Sequence, residues 1–160
     1  MLFRSALLLP NLIAFNIGAI IGTATWGRLS EGRLGRRGAV SITLVVGLLS
    51  LPLYLHATTP LMLGIGAFLM GTFGMGVWGM APAYTSERYP TAVRGVGPGF
   101  CYHAGAAIGA TMPWFLGRLQ RQGMAGASAM SAAMVISAVL AAVFIWLGPE
   151  TRGRKFTAGE

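Results

Sequence analysis

Five long apolar runs, none of which contains Asp, Glu, Lys or Arg, dominate this sequence. They lie at about residues 6–26, 39–57, 61–83, 95–116 and 125–147. A helix needs about 20 apolar residues to cross the roughly 30 Å hydrocarbon core of a bilayer. Because lipid supplies no hydrogen bonds to the backbone, a crossing segment must be helical. The pattern therefore predicts an all-α, polytopic membrane helix bundle, with five transmembrane helices in residues 1–148 and a tail at 149–160.

The composition excludes several other classes of protein. Only 10% of the 160 residues are charged, whereas a soluble domain carries roughly 25%. The net charge of +8 lies in short basic clusters between apolar runs, which is not the continuous basic face of a nucleic-acid-binding protein. A single cysteine and scattered methionines predict no metal site. With no carboxylate pair and no Ser/His/acid set, we expect neither an enzyme nor a cofactor.

The basic clusters lie in alternate gaps between the runs, and alternate gaps share one side of a membrane. Nine of the twelve basic residues lie in gaps 27–38 and 84–94 and in the tail. Since positively charged loops stay in the cytoplasm, we expect a multi-pass protein of the cell (inner or plasma) membrane. Its C-terminus is then cytoplasmic and its N-terminus outside.

An odd number of spans starting outside is unusual for a sequence that begins at Met1. A cleaved signal peptide at residues 1–26 is an alternative, but its basic region would be Arg4 alone and its apolar stretch is long. We therefore expect further spans to precede this sequence in a longer protein.

Three charged motifs carry a family resemblance. The stretch GRLSEGRLGRR at 27–37 resembles the loop motif G-x-x-x-D-R-x-G-R-R of the major facilitator superfamily. The stretch ERYPTAVR at 87–94 resembles the E-x6-R element after the tenth helix, and PETRGR at 149–154 resembles the PETKGR signature after the twelfth. Their order implies that the five spans correspond to helices 8–12, an incomplete C-terminal half of a twelve-helix transporter.

A narrower resemblance concerns the run GVWGMAPAYTSERYPTAVRGVGPGFCYHAGAAIG, which is similar to sialate/lactate-type carboxylate–proton symporters. It implies proton-coupled symport of a small organic anion by alternating access, with the lipid bilayer, the anion, protons and the missing N-terminal half as partners. The chain departs from the family pattern in its loop motif, which has one extra residue, its acid at Glu31 and Gly32 at the usual place of the aspartate. Without the other half, we expect no transport.

The motifs also predict a cytoplasmic gate. Gly35 permits a tight reversal, and Arg36 and Arg37 can pair with the carboxylates of Glu87 and Glu150. For Glu87 and Arg94 a latch is favoured over a role in topology alone, whereas for Arg33 and Arg88 topology is favoured. The gate and motif residues are Gly27, Glu31, Arg33, Gly35, Arg36, Arg37, Glu87, Arg94, Glu150 and Arg154.

Polar residues within the runs are candidates for the substrate and proton pathway. His103 is an intramembrane ionisable residue, although a neutral histidine bonded to a neighbouring helix is the favoured alternative. Tyr102 and Trp78 suit either substrate contact or packing and interfacial anchoring. Asn11 and Asn16 suit either the cavity wall or hydrogen bonds between helices.

Two alternative functions stay open at this stage. One is a non-transporting integral membrane remnant or assembly partner, and the other is a fragment of a sugar transporter. An upstream reading frame that encodes helices 1–7 would favour the transporter interpretation.

Overall fold

The computed structural model describes residues 8–153, whose regular structure is entirely helical. This confirms the predicted all-α membrane fold. Seven α-helices follow one another in this range: α1 (Leu8–Glu31), α2 (Gly35–Leu55), α3 (Pro60–Leu69), α4 (Ala81–Ser86), α5 (Gly97–Gly109), α6 (Met112–Arg121) and α7 (Gly126–Leu147).

The third span is one irregular helical segment rather than a single regular helix. The hydroxyl of Thr59 accepts a hydrogen bond from the Met62 N–H at 3.2 Å, and Pro60 occupies the first turn, so α3 has a capped start. A π-helical turn (Met70–Gly74) and a 3-10 turn (Gly76–Gly79) then connect α3 to α4. The whole segment, Pro60–Ser86, is long and apolar enough to cross a membrane.

The described residues contain four helices with the length and composition of membrane spans, where the sequence predicts five. These are Leu8–Glu31, Gly35–Leu55, Pro60–Ser86 and Gly126–Leu147. The predicted span at 95–116 is divided between α5 and α6, which are 13 and 10 residues long. The break precedes Pro113, which has no N–H and whose ring clashes with the helical carbonyl four residues earlier. The N–H of Thr111 accordingly bonds to the carbonyl of Ile108, three residues back, at 3.1 Å.

Glycines bring α1 and the third span into backbone contact. A Cβ on Gly18 would overlap the carbonyl oxygen of Phe68, and one on Gly22 would overlap that of Thr72. From the opposite side, a Cβ on Gly71 would overlap the carbonyl oxygen of Phe15. Small residues allow this close approach of helices in membranes, where dispersion contacts drive association.

Helix α2 packs against α1, the third span and α7 and so occupies the centre of the bundle. One core cluster contains Trp26, Ala39, Val40, Met80 and Ile145, and a second contains Leu51, Leu55 and Met70. Helix α5 has no buried residue and packs mainly on α4.

The charged motifs meet at one end of this bundle, where α1 and α4 end, α2 begins and α7 ends. We call it the arginine-rich end and define it by residues 28–37, 84–94 and 148–153. Gly35 makes the reversal between α1 and α2 with a φ of +68°, a conformation that glycine adopts without steric cost. A Cβ at this position would also lie 2.7 Å from Oε2 of Glu150. Only glycine therefore suits both the turn and the neighbouring carboxylate.

Candidate functional site

A buried ion pair lies at the centre of the arginine-rich end. The guanidinium of Arg36 donates from Nη2 to Oε1 of Glu87 at 2.7 Å and from Nε to Oε2 at 3.3 Å. Its Nη1 donates to the hydroxyl of Ser30 at 2.5 Å. The side chains of Arg36 and Glu87 are only 6% and 12% exposed. Two parallel hydrogen bonds from one guanidinium give the pair a defined geometry as well as charge attraction. With the bond to Ser30, they join the end of α1, the start of α2 and the end of α4.

The carboxylate of Glu150 caps the N-terminus of α2. Its Oε1 accepts the backbone N–H of Arg36 at 3.0 Å, and its Oε2 accepts that of Arg37 at 3.1 Å. The residue at the N-cap position, Leu34, supplies no side-chain cap. A carboxylate at this position satisfies unpaired N–H groups and stabilises the positive end of the helix dipole. Glu150 thus fastens the segment after α7 to the beginning of α2.

Thr151 completes the connection between these two acidic groups. Its fully buried hydroxyl donates to Oε2 of Glu87 at 2.6 Å, while its backbone N–H donates to Oε1 of Glu150 at 3.0 Å. We call the five residues Ser30, Arg36, Glu87, Glu150 and Thr151 the Arg36–Glu87 network. The sequence did not single out Ser30 or Thr151, although Ser30 belongs to the GRLSEGRLGRR stretch and Thr151 to PETRGR.

The surroundings of the two carboxylates favour their charged forms. Burial acts to raise the pKa of Glu87, but hydrogen bonds from Arg36 and Thr151 and the charge of Arg36 outweigh it, and the pKa lies below its usual value. For Glu150, burial likewise acts to raise the pKa. Hydrogen bonds from the backbone N–H groups of residues 36, 37, 151 and 152 outweigh burial, and the pKa of Glu150 lies below its usual value. Both groups are therefore ionised at neutral pH.

Several other predicted gate residues lie around the network. Oε1 of Glu31 is 3.9 Å from Nη2 of Arg36, and the Glu31 side chain is 71% exposed. Water therefore weakens its attraction to Arg36. Gly27 faces the third span, where a Cβ would lie 3.0 Å from the carbonyl oxygen of Gly79. The Arg37 guanidinium lies 5.7 Å from the centre of the Trp146 ring, within the range of a cation–π contact.

The other predicted gate residues are Arg33, Arg94 and Arg154. Arg94 donates to the backbone carbonyls of Ser86, at 3.2 Å, and Tyr89, at 3.1 Å, and so fastens the loop that follows α4. Arg33 is exposed in the turn after α1. Arg154 lies outside the described residues.

A cavity between the third span and α5 contains two of the predicted pathway residues. It has a volume of about 700 Å³, and its wall includes Trp78, Thr85, Cys101 and Tyr102. The rings of Trp78 and Tyr102 meet edge to face with their centres 5.8 Å apart. We call it the aromatic cavity. Its size and apolar wall are typical of sites for small organic ligands.

The other pathway candidates lie apart from this cavity. His103 is exposed and does not line the wall, although its ring is 5.5 Å from that of Tyr102. Asn16 donates to the carbonyl of Leu12 in its own helix at 2.7 Å. Asn11 faces α3, where its Oδ1 would be 3.7 Å from a Cβ on Gly64. The structure thus brings together Trp78 and Tyr102 but not the two asparagines.

Comparison with known proteins identifies relatives among transporters. The chain is 33% identical over 142 residues to a probable 4-methylmuconolactone transporter of Cupriavidus pinatubonensis, covering 85% of this chain and 32% of the relative. It is 30% identical over 139 residues to a putative metabolite transport protein of Haemophilus influenzae, covering 86% and 33%. A niacin transporter of Acinetobacter baylyi is 25% identical over 122 residues, covering 76% and 28%.

The chain spans about a third of the length of the curated relatives it matches. No family profile matches it, and no solved structure does. The relatives confirm the expected relationship to metabolite transporters, in agreement with the resemblance to the major facilitator superfamily. Together with the long apolar helices, they identify the chain as a multi-pass membrane protein related to transporters of small molecules.

Proposed function

We propose that this chain forms the C-terminal part of a secondary transporter that moves a small organic anion together with protons by alternating access. The carrying observation is the Arg36–Glu87 network, which joins the end of α1, the start of α2, the end of α4 and the segment after α7. In this proposal the arginine-rich end and the C-terminus are cytoplasmic and the N-terminus is outside the cell membrane. The network is then the closed cytoplasmic gate of the outward-facing state.

Opening such a gate requires that Arg36 and Glu87 separate. Removing one partner of a buried ion pair costs about 3–5 kcal/mol, because the other charge stays buried and unpaired. A conformational change must therefore hydrate both groups or supply new partners for them. A substrate shifts the equilibrium only by the difference between its affinities for the two states. A rocking motion of the transporter halves that exposes Arg36 and Glu87 to water would hydrate both charges and so permit their separation.

The aromatic cavity supports a ring-bearing substrate, and the name of one relative supports a carboxylate on that ring. The rings of Trp78 and Tyr102 offer surfaces to a flat ligand, and a volume of about 700 Å³ leaves ample room for one. One relative is named for niacin, a ring carboxylate, and another for a muconolactone. His103, whose ring contacts Tyr102, is the proposed proton carrier beside this cavity. Asn11 and Asn16 of α1 lie apart from the aromatic cavity and would contribute to the pathway elsewhere along α1.

A chimera tests the proposal. This chain would replace the 142-residue segment that it matches in the Cupriavidus relative. The purified chimera would be reconstituted in liposomes and supplied with radiolabelled 4-methylmuconolactone or nicotinate. We expect uptake when the outside is more acidic than the inside, and its loss when a protonophore removes the gradient.

The matched control is the same chimera with Arg36→Ala and Glu87→Ala. It should insert into the liposomes but show no uptake driven by the proton gradient. A chimera that is folded and correctly inserted, yet takes up neither compound under any gradient, would contradict the proposed function. It would favour a non-transporting membrane protein.

A further inference from the structure

A second, smaller cavity opens at the arginine-rich end. It has a volume of about 370 Å³ and is lined by Tyr84, Thr85, Arg88, Tyr89 and Cys101. Thr85 and Cys101 also line the aromatic cavity, so the two spaces are adjacent and share a wall. We call the smaller one the vestibule.

Arg88 is held in a defined position beside this space. Its Nη1 donates to the hydroxyl of Tyr84 at 3.1 Å, and its Cζ lies 5.4 Å from the centre of the Tyr84 ring. A Cβ on Gly148 would come within 2.5 Å of the same Nη1, so glycine leaves room for the guanidinium at the end of α7. An arginine that served topology alone would extend into water or towards headgroups. Arg88 is exposed, but its guanidinium lies against the ring of Tyr84, four residues earlier.

The positive charge of Arg88 is not neutralised within the described part of the chain. No carboxylate of residues 8–153 comes within 4 Å of it, since the ion pairs found there join Arg36 to Glu31 and Glu87. Its neighbour Glu87 is engaged by Arg36 and by Thr151. Among residues 8–153, the vestibule therefore presents a cation with no carboxylate within 4 Å, and most of its five guanidinium N–H groups are available there as donors.

The other walls of the vestibule add the hydroxyl groups of two tyrosines and the thiol of Cys101. The hydroxyl of Tyr89 lies 2.8 Å from Sγ of Cys101, a hydrogen bond that holds the loop after α4 against α5. A guanidinium matches the planar geometry of a carboxylate with two parallel hydrogen bonds. Tyrosine hydroxyls beside it can donate further. The chemistry of this space therefore fits a small carboxylate.

We propose that the vestibule is the cytoplasmic binding site at which the carboxylate of a ring-bearing substrate meets Arg88 before or after occupying the aromatic cavity. This assignment rests on the proposed function, because it takes its substrate class from there. The ring would pass Thr85 and Cys101, the residues common to both cavities. A lipid phosphate has similar charge and is the competing occupant that the experiment must separate.

Cys101 provides a direct reporter, because it is the single cysteine of the chain and is exposed. The purified full chain would be placed in phosphatidylcholine nanodiscs, and the rate of Cys101 alkylation by N-ethylmaleimide measured. We expect saturating nicotinate to slow alkylation at least threefold. Nicotinamide, which has the same ring but no carboxylate, should leave the rate unchanged.

Three variants assign the effect to Arg88. Arg88→Gln should abolish the protection by nicotinate, and Arg88→Lys should retain part of it, since a lysine keeps the charge but loses the planar fork. Arg28→Gln, at an exposed arginine of the same end, should be protected by nicotinate as the wild type is. Because a nearby cation changes the reactivity of a thiol, each variant is compared with itself, with and without nicotinate.

The outcomes are distinct. Equal protection by nicotinamide, full protection in Arg88→Gln, or no protection in a wild-type chain of native helicity would overturn the assignment. Protection by phosphatidylglycerol nanodiscs without nicotinate, which nicotinate does not increase, would assign the vestibule to a lipid headgroup and would also overturn it. If Arg88→Gln does not fold, the comparison of nicotinate with nicotinamide and the Arg88→Lys variant decide. A chimera that transports without Cys101 protection rejects this site alone, whereas protection without transport rejects the proposed function.

Discussion

Nη2 of Arg36 lies 2.7 Å from Oε1 of Glu87, although the two residues are 51 positions apart in the chain. Both side chains are nearly buried, and each would be costly to place there alone. Ser30 and Thr151 satisfy further hydrogen-bonding groups of the pair. In the proposed gate this ion pair would act as the switch, because a buried pair is strongly destabilising when one partner is removed.

The first prediction concerns charge reversal in this pair. Arg36→Glu should lower the free energy of unfolding by about 3–5 kcal/mol, because it places two like charges in a buried site. The double variant Arg36→Glu/Glu87→Arg should recover part of that loss. Thermal unfolding of the purified chain in detergent measures both. Arg33→Glu is the control, and Glu87→Arg should not rescue it. A double variant no more stable than Arg36→Glu would show that the pair contributes no coupling.

The second prediction concerns the cap on α2. Glu150→Ala removes the acceptor for the N–H groups of Arg36 and Arg37, and we expect a loss of about 1–2 kcal/mol, as for other N-terminal caps. The stability of Glu150→Gln should lie between those of the wild type and Glu150→Ala, because its side chain keeps one acceptor oxygen. Hydrogen exchange of these two amides should become faster in Glu150→Ala, while amides in the middle of α2 change little. Unchanged exchange at the start of α2 would argue against capping.

The third prediction concerns Gly35. Gly35→Ala forces a Cβ into a φ of +68° and within 2.7 Å of the Glu150 carboxylate. We expect a loss of about 1–3 kcal/mol in the free energy of unfolding. Gly38→Ala, one turn later, is the matched control, since its Cβ would have only an ordinary contact at 3.7 Å with Leu34. That change should be neutral or slightly stabilising, because alanine favours helix.

The fourth prediction concerns helix packing. Gly22→Ala should push α1 away from the third span, because its Cβ would overlap the backbone of Thr72. We expect a loss of about 1–3 kcal/mol, the usual effect of overpacking. Gly109→Ala adds the same methyl group where nothing lies within 4 Å, and it should leave stability unchanged. Equal unfolding temperatures for the two variants would contradict the close contact.

The fifth prediction concerns pH. The pKa values of Glu87 and Glu150 lie below their usual value in the folded chain, whereas an unfolded glutamate titrates near pH 4.3. Their stabilisation is therefore complete above about pH 4.3 and is lost as the pH falls through the lower folded values. The unfolding temperature should drop in that acidic range. The drop should be smaller in Glu87→Gln and Glu150→Gln, because each removes one of these carboxylates.

Sequence alone determined that the fold is all-α and where charged loops interrupt the apolar runs. Composition suffices there, because a backbone in lipid must satisfy its own hydrogen bonds. It also predicted that Arg36, Glu87 and Glu150 belong to one charged region, since alternate gaps lie on one side. It did not predict the division of residues 95–116, which depends on how Pro113 and the carbonyls before it are accommodated.

The tertiary structure decided which groups are partners. Within residues 8–153, Glu150 accepts backbone N–H groups of α2 and forms no ion pair with an arginine side chain. Thr151 bonds to a carboxylate 64 positions away. It also separated Asn11 and Asn16 from Trp78 and Tyr102, and it placed Arg88 beside a cavity. Charge and composition are local properties of the sequence. Contacts between distant residues depend instead on helix crossing and rotation, which the packing of small residues such as Gly22 sets.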